Sequence, residues 1–79
     1  MELYIQTWCG YCRKVIEAAK ELGVPLVLHD IADSALAAEL EARGGKQQVP
    51  YLVDTTTGIE MYESDDIIEY LKDQQGEAA

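Results

Sequence analysis

The sequence is poor in the features that mark a membrane or nucleic-acid-binding protein. None of its apolar runs approaches the roughly 20 residues that a membrane-spanning helix needs. Positive charge is also scarce: 6 lysines and arginines stand against 15 aspartates and glutamates, for a formal net charge of −9. Phosphate backbones and acidic lipid surfaces attract positively charged proteins. We therefore expect neither a nucleic-acid partner nor a membrane.

The sequence also lacks linkers, internal repeats and low-complexity segments, and we expect no secretory signal. Met1 and Glu2 lead straight into a strand pattern, whereas a signal would open with positive charge and an apolar run. A composition that is 48% hydrophobic and 27% charged is typical of a soluble globular fold. We expect residues 1–79 to form one domain, located in the cytoplasm and monomeric.

Apolar periodicity predicts an α/β domain with the element order βαβαββα. Strands are predicted at residues 3–5, 25–29, 51–53 and 59–62, with helices that begin near Gly10, at Asp33 or Ser34, and at Ser64. A parallel βαβ unit and an antiparallel hairpin then give a four-stranded mixed sheet with three helices on both faces. Because the second strand is almost continuously apolar, we expect both its faces to be covered.

Single residues predict where the helices begin and end. Gly23 is placed to end the first helix in a left-handed conformation, and Gly44 with Gly45 to end the second. Ser64 is predicted to cap the third helix, which should fray into a tail from Gln74 onward.

The two cysteines, Cys9 and Cys12, lie two residues apart where a strand gives way to a helix. Unpaired N–H groups and the positive end of the helix dipole favour a thiolate on Cys9, and Arg13 and Lys14 lie close enough in sequence to assist. Cys12, one turn later on the apolar face, should be more buried and less ionised. The asymmetry predicts Cys9 as the nucleophile and Cys12 as the resolving thiol.

Two other interpretations of the cysteine pair stay open at this point. The thiols could simply pack in the core, or they could form half of a zinc site. A zinc ion would need two further ligands, for which only His29 and carboxylates remain. The spacing of the thiols within one helical turn favours redox chemistry, and we expect no resident metal ion.

Three separated motifs resemble the glutaredoxin family: residues 4–12 (YIQTWCGYC), Gln48-Val49-Pro50, and residues 63–66 (ESDD). They are also similar to the thioredoxin-like N-terminal domain of glutathione transferases. The resemblance spans nearly the whole chain. It implies a thioredoxin-like fold and a glutathione-dependent thiol–disulfide oxidoreductase. Its partners would be glutathione, as co-substrate, and disulfide-containing or glutathionylated proteins.

The resemblance also implies a glutathione site. Val49 would offer its backbone to the cysteine of glutathione, beside a cis Pro50. Ser64 and Asp65 would hold the γ-glutamyl end, and Tyr11 would border the groove. The full set of expected glutathione residues is Tyr11, Gln48, Val49, Pro50, Ser64 and Asp65.

Several positions depart from the common glutaredoxin pattern. Gly10 replaces a proline between the cysteines, Tyr62 and Glu63 replace a glycine pair, and Gln6 replaces a lysine that binds the glycine carboxylate of glutathione. Candidates to take over from that lysine are Lys46, Gln47 and Arg43.

Two alternative functions follow from the same residues. Gly10 leaves open a homodimeric carrier of a [2Fe–2S] cluster, in which Cys9 of each chain and two glutathione thiolates would be the ligands. The chain could also be the N-terminal domain of a transferase, although it ends directly after its last helix.

Trp8 is expected to pack beside the active site, and His29 to be a surface or hydrogen-bonded residue.

Overall fold

The computed structural model describes the backbone of residues 1–78 and the side chains of residues 1–74. Its elements follow the predicted order. The strands are β1 (Glu2–Ile5), β2 (Val27–Asp30), β3 (Tyr51–Asp54) and β4 (Ile59–Met61), and the helices are α1 (Gly10–Leu22), α2 (Ser34–Gly44) and α3 (Ser64–Ala78). The predicted tail is therefore helical as far as Ala78, and Ala79 lies outside the described residues.

The four strands form one mixed sheet in the order β2-β1-β3-β4. β1 runs parallel to β2, with Leu3 opposite Leu28, and antiparallel to β3, with Leu3 opposite Leu52. β3 and β4 form an antiparallel hairpin in which Leu52 faces Met61. The sheet confirms the predicted βαβ unit, the hairpin and the thioredoxin-like α/β fold.

Side chains alternate across β1 and β3, so the sheet has a core on each face. One core joins β1 and β3 to α1 and α3 through Leu3, Val15, Ala19, Leu52, Ile67 and Leu71. The other joins the opposite face of the same strands to α2 through Tyr4, Leu40, Tyr51 and Val53. Helices thus cover both faces of the sheet, as predicted.

The prediction that β2 is covered on both faces is wrong. β2 lies at the edge of the sheet, and the side chains of Val27 and Leu28 are 58% and 45% exposed. The strand also begins two residues later than predicted, at Val27. A continuous apolar run predicts a strand covered on both faces, but coverage depends on which strands pair and where the helices pack, and neither is encoded locally.

Local signals fix the helix ends as predicted for α1 and α2. Gly23 and Gly45 follow the two helices with φ of 71° and 91°, a left-handed conformation that suits glycine. Asp33 caps α2 by accepting a hydrogen bond from the Ala35 N–H at 2.9 Å. Ser64 is the first residue of α3 and not its cap, because the Glu63 carbonyl accepts the first helical hydrogen bond, from Ile67.

Gly44 allows a close approach between α2 and the segment that precedes α3. A Cβ atom at this position would lie 2.1 Å from the Tyr62 hydroxyl oxygen. That hydroxyl donates to the Lys46 carbonyl at 2.8 Å, and the Tyr62 ring packs on Tyr51 with centroids 4.4 Å apart. Tyr62 therefore fixes where the chain enters α3.

None of the described helices is long and apolar enough to cross a membrane.

Candidate functional site

The N-terminus of α1 positions the two cysteines. Cys9 occupies the cap position in an extended conformation, and its N–H donates to the Gln6 carbonyl at 3.0 Å, which closes the turn after β1. The Cys9 Sγ atom accepts a hydrogen bond from the Cys12 N–H at 3.2 Å. An N–H group at a helix N-terminus stabilises negative charge on an acceptor, so this geometry suits a Cys9 thiolate.

Cys12 lies in a different environment although it is only one turn away. Its side chain is 1% exposed, whereas Cys9 is partly accessible, and both thiols are free. Burial, followed by the interaction with the Cys9 sulfur, raises the pKa of the Cys12 thiol to about 12. Cys12 is therefore protonated at neutral pH.

A groove of about 410 Å³ lies beside the cysteine turn and is lined by Tyr11, Gln48, Val49, Pro50, Glu63, Ser64 and Asp65. We call it the cis-proline groove, because the Val49–Pro50 peptide bond is cis, as the resemblance implies. Its lining includes all six of the expected glutathione residues. Neither Cys9 nor Cys12 is among the lining residues, but Tyr11, which lies between them in sequence, is one of them.

Glu63 also lines this groove, and the sequence interpretation did not assign it a ligand role. It has a positive φ of 70°, an unusual conformation for a residue other than glycine, at the point where the chain turns into α3. The available signal was its place directly before Ser64. Glu63 adds a second carboxylate to the groove besides Asp65.

An ion pair links α1 to the groove. The Lys14 ammonium contacts the Asp65 carboxylate at 2.8 Å, and both side chains are largely exposed. The pair lowers the pKa of Asp65 and raises that of Lys14. Lys14 was expected to help stabilise a thiolate on Cys9, but its ammonium forms an ion pair with Asp65 instead. Sequence could not reveal this contact, because 51 positions separate the two residues.

The three candidates to replace the lysine missing at position 6 have partners elsewhere. Arg43 lies 3.4 Å from Glu60 and 3.8 Å from Glu39, and the Gln47 amide donates to Glu41 at 3.1 Å. The Lys46 ammonium lies over the Tyr62 ring, 5.1 Å from its centroid. None of the three lines the cis-proline groove.

Trp8 does not pack beside the thiols as expected, since its side chain is 89% exposed. Tyr11 is also exposed, so two aromatic rings flank the Cys9 turn on its solvent side.

His29 is hydrogen-bonded, as predicted, with its Nε2 atom 2.7 Å from the Glu2 carboxylate on the neighbouring strand. Among the side chains of residues 1–74, no group of three or more histidine, cysteine or acidic residues is placed to hold a metal ion.

Comparison with known proteins gives a family and a set of structural neighbours. Residues 3–79 match the family described as glutathione S-transferase, N-terminal domain. Glutathione S-transferase 1-6 of Anopheles dirus species B superimposes with a TM-score of 0.80 at 28% identity, covering 95% of this chain and 36% of that one. A comparison with curated proteins gives no match.

Two further solved structures have the same fold. A delta-class glutathione transferase of Nilaparvata lugens has a TM-score of 0.78 at 34% identity, over 94% of this chain and 35% of its own. An epsilon-class glutathione S-transferase of the housefly, Musca domestica, has a TM-score of 0.78 at 23% identity, over 95% and 35%. The chain thus spans about a third of the length of these three proteins. Of the two resemblances found in the sequence, these matches support the transferase domain and do not single out glutaredoxins.

Proposed function

Because the chain belongs to the glutathione S-transferase N-terminal domain family, we propose that it binds glutathione in the cis-proline groove and exchanges disulfides with it through Cys9. The observation that carries this proposal is the hydrogen bond from the Cys12 N–H to the Cys9 sulfur at the start of α1. It supports a reactive sulfur at Cys9 and a second, protonated thiol one turn away.

The groove supports the binding half of the proposal. Val49 lines the groove, and we assign its backbone N–H and C=O groups to pairing with an extended peptide there. The first turn of α3 begins at Ser64, where unpaired N–H groups can receive a carboxylate. Asp65 offers a carboxylate to an ammonium group, in exchange for Lys14. A γ-glutamyl end, with one carboxylate and one ammonium, matches these two groups.

The reaction begins with a protein–glutathione mixed disulfide. The Cys9 thiolate attacks the glutathione sulfur, the S–S bond breaks, and the protein leaves as a thiolate that takes a proton from water. A second glutathione thiolate then attacks the glutathione sulfur bound to Cys9, which releases glutathione disulfide and restores Cys9. The net reaction consumes one free glutathione thiol: the other half of the glutathione disulfide is the glutathione that the mixed disulfide carried, and the protein recovers its thiol.

Cys12 provides a second route for protein disulfides. After Cys9 has formed a mixed disulfide with the target, the Cys12 thiol loses its proton and attacks the Cys9 sulfur. The target leaves as a thiolate, and a Cys9–Cys12 disulfide remains for glutathione to reduce. Because the pKa of the Cys12 thiol is raised to about 12, this step should be slow at neutral pH.

Turnover of a glutathionylated peptide by three forms of the chain tests the proposal. We expect Cys9→Ser to lose at least about 100-fold in kcat/KM, because no other accessible thiol lies at the helix N-terminus. Cys12→Ser should keep most activity on the mixed disulfide and lose it on a protein disulfide. Cys9→Ser turning over at the parental rate would contradict the proposal.

Family membership itself favours a second candidate, the conjugation of glutathione to an electrophile as part of a transferase. In that case glutathione supplies the attacking sulfur, and the Cys12 thiol has no chemical task. The two functions separate in the Cys9→Ser variant, which would keep conjugating activity while losing disulfide exchange.

The [2Fe–2S] carrier is a weaker candidate that rests on the exposure difference between the cysteines. Only Cys9 is accessible, so one chain offers one thiolate, and four thiolate ligands would require a dimer with two glutathiones. A colourless monomer after anaerobic reconstitution with iron, sulfide and glutathione would remove this candidate.

A further inference from the structure

The chain makes one tight turn between β1 and the nucleophilic cysteine. The Cys9 N–H donates to the Gln6 carbonyl at 3.0 Å, so residues 6–9 form a four-residue turn with Thr7 and Trp8 at its two central positions. Both central side chains are exposed and belong to neither core of the sheet. Packing therefore contributes little to the position of this turn, which depends on its hydrogen bonds.

A side-chain hydrogen bond ties the turn to the neighbouring strand. The Thr7 hydroxyl donates to the Asp30 carboxylate, from Oγ1 to Oδ2, at 2.8 Å. Asp30 is the last residue of β2 and lies opposite Ile5, which is the last residue of β1. The bond thus joins the turn to the adjacent parallel strand at the point where both strands end.

Asp30 is itself held in place at this point. Its second carboxylate oxygen, Oδ1, accepts a hydrogen bond from the Ala32 N–H at 2.9 Å, and the Ile31 N–H donates to the Ile5 carbonyl at 2.9 Å. The hydrogen bonds from the Ala32 N–H and from Thr7 lower the pKa of the Asp30 carboxyl, so the acceptor is ionised at neutral pH. A hydrogen bond to an ionised acceptor is stronger than one between neutral groups, which makes Asp30 a suitable anchor.

The position of the turn sets the position of the Cys9 sulfur. Cys9 is both the last residue of the turn and the cap of α1, where its Sγ atom accepts the Cys12 N–H at 3.2 Å. Behind the cap, α1 is fixed by its buried residues Cys12, Val15 and Ala19. A movement of the turn would therefore shift the sulfur away from an N–H group that stays in place.

From this arrangement we infer that Asp30, acting through the Thr7 hydroxyl, is a positioning residue that holds the Cys9 sulfur at the Cys12 N–H. The inference rests on the proposed function, since it concerns the reactivity of the same nucleophile. Neither Thr7 nor Asp30 lines the cis-proline groove. Their loss should therefore slow attack by Cys9 and leave ligand binding in the groove unchanged.

Thr7→Val tests the inference, because it keeps the shape of the side chain, changes no charge and removes the hydroxyl. We expect the rate of Cys9 alkylation by iodoacetamide at pH 7, followed by peptide mapping, to fall about three- to tenfold, the usual effect of one lost hydrogen bond. The kcat/KM for a glutathionylated peptide should fall by a similar factor, and the calorimetric affinity for S-methylglutathione should stay within about twofold. Thr55→Val, the same change in the exposed hairpin loop, is the matched control and should leave all three quantities unchanged.

Two further variants identify the hydrogen bond as the cause. Thr7→Ser restores the hydroxyl and should recover most of the parental alkylation rate. Asp30→Ala should slow Cys9 as Thr7→Val does, although loss of a nearby negative charge would by itself favour a thiolate. Combining Asp30→Ala with Thr7→Val should add little, because both remove the same bond. Additive effects, or a Thr7→Ser variant as slow as Thr7→Val, would overturn the inference.

The remaining outcomes separate this inference from the proposed function. If Thr7→Val is alkylated at the parental rate, the positioning role is refuted while disulfide exchange through Cys9 stands. If its affinity for S-methylglutathione falls together with the alkylation rate, the substitution disturbs the site as a whole, and the positioning role is again refuted. If the alkylation rates change as expected but the parent does not turn over the glutathionylated peptide, the positioning role stands and the proposed function is refuted.

Discussion

At the residue scale, two identical side chains acquire different chemistry from their places on one helix. Cys9 lies at the cap, where its sulfur accepts the Cys12 N–H, while Cys12 faces the core and is almost fully buried. Cys12 shares the three- and four-residue spacing of Val15 and Ala19, and this spacing places all three on the apolar face of α1. The difference between the thiols was therefore predictable from the sequence, and the structure adds the hydrogen bond and the raised pKa of Cys12.

Alkylation should reveal this difference directly. With a limited dose of iodoacetamide at about pH 7, we expect at least about tenfold more label on Cys9 than on Cys12, because only thiolates react and Cys12 is inaccessible. Peptide mapping by mass spectrometry measures the ratio. In denaturant the two thiols should label about equally, and a similar ratio in the folded protein would refute the assignment of roles.

At the element scale, α3 is tied to the hairpin by a small polar cluster. The Asp54 carboxylate, at the end of β3, accepts hydrogen bonds from the Tyr70 hydroxyl at 2.6 Å and the Thr56 N–H at 3.0 Å. Tyr70 also lies 2.8 Å from the Thr57 hydroxyl. Hydrogen bonding, from Tyr70 above all, holds the pKa of the Asp54 carboxyl below its ordinary value, although burial opposes it.

Removing the charge of Asp54 should destabilise the fold in a pH-dependent way. We expect Asp54→Asn to cost about 1–3 kcal/mol in the free energy of unfolding at pH 7, the usual cost of an impaired buried polar cluster. Because the folded pKa lies below the unfolded one, the stabilisation is complete above the ordinary carboxyl pKa of about 3.9 and disappears as the pH falls through the folded value.

Urea unfolding of parent and variant between pH 7 and pH 2 measures this effect, and the difference between them should shrink below about pH 4. Asp73→Asn, on an exposed position of α3, is the matched control and should unfold like the parent at every pH. A difference that stays constant down to pH 2 would mean that Asp54 acts through packing and not through its charge.

The sequence predicted the helices and strands themselves better than the tertiary contacts between them. Helix ends at Gly23 and Gly45 follow from local backbone chemistry, and local chemistry is present in the sequence. The exposure of β2 and the pairing of Lys14 with Asp65 depend on tertiary placement, so the local pattern misjudged both. The six predicted groove residues were identified through the family resemblance and not through apolar periodicity. The resemblance did not assign Glu63 to the groove.

At the scale of the whole molecule, charge is unbalanced. The chain has 15 acidic side chains and 6 lysines and arginines, for a formal net charge of −9 over 79 residues. The described ion pairs are largely at the surface, where each contributes little. Mutual repulsion between carboxylates therefore works against the folded state and keeps copies of the chain apart.

Salt should consequently stabilise the protein at neutral pH. Between about 10 mM and about 150 mM sodium chloride we expect the Tm to rise by about 4–8 °C, which for a domain of this size corresponds to roughly 1 kcal/mol of relieved repulsion. Differential scanning calorimetry measures the change. The same salt step at about pH 4, where many carboxylates are neutral, is the control and should have a much smaller effect. A Tm that falls with salt at pH 7 would show that attractive pairs dominate.

The exposure of Trp8 has a practical consequence. It is the chain's single tryptophan, it adjoins Cys9 in sequence, and it is 89% exposed to solvent. Any target protein that covers Cys9 must also displace water from that indole, which alters its fluorescence emission. The molecule thus carries a built-in optical reporter, so docking at the thiol can be followed in real time without a dye.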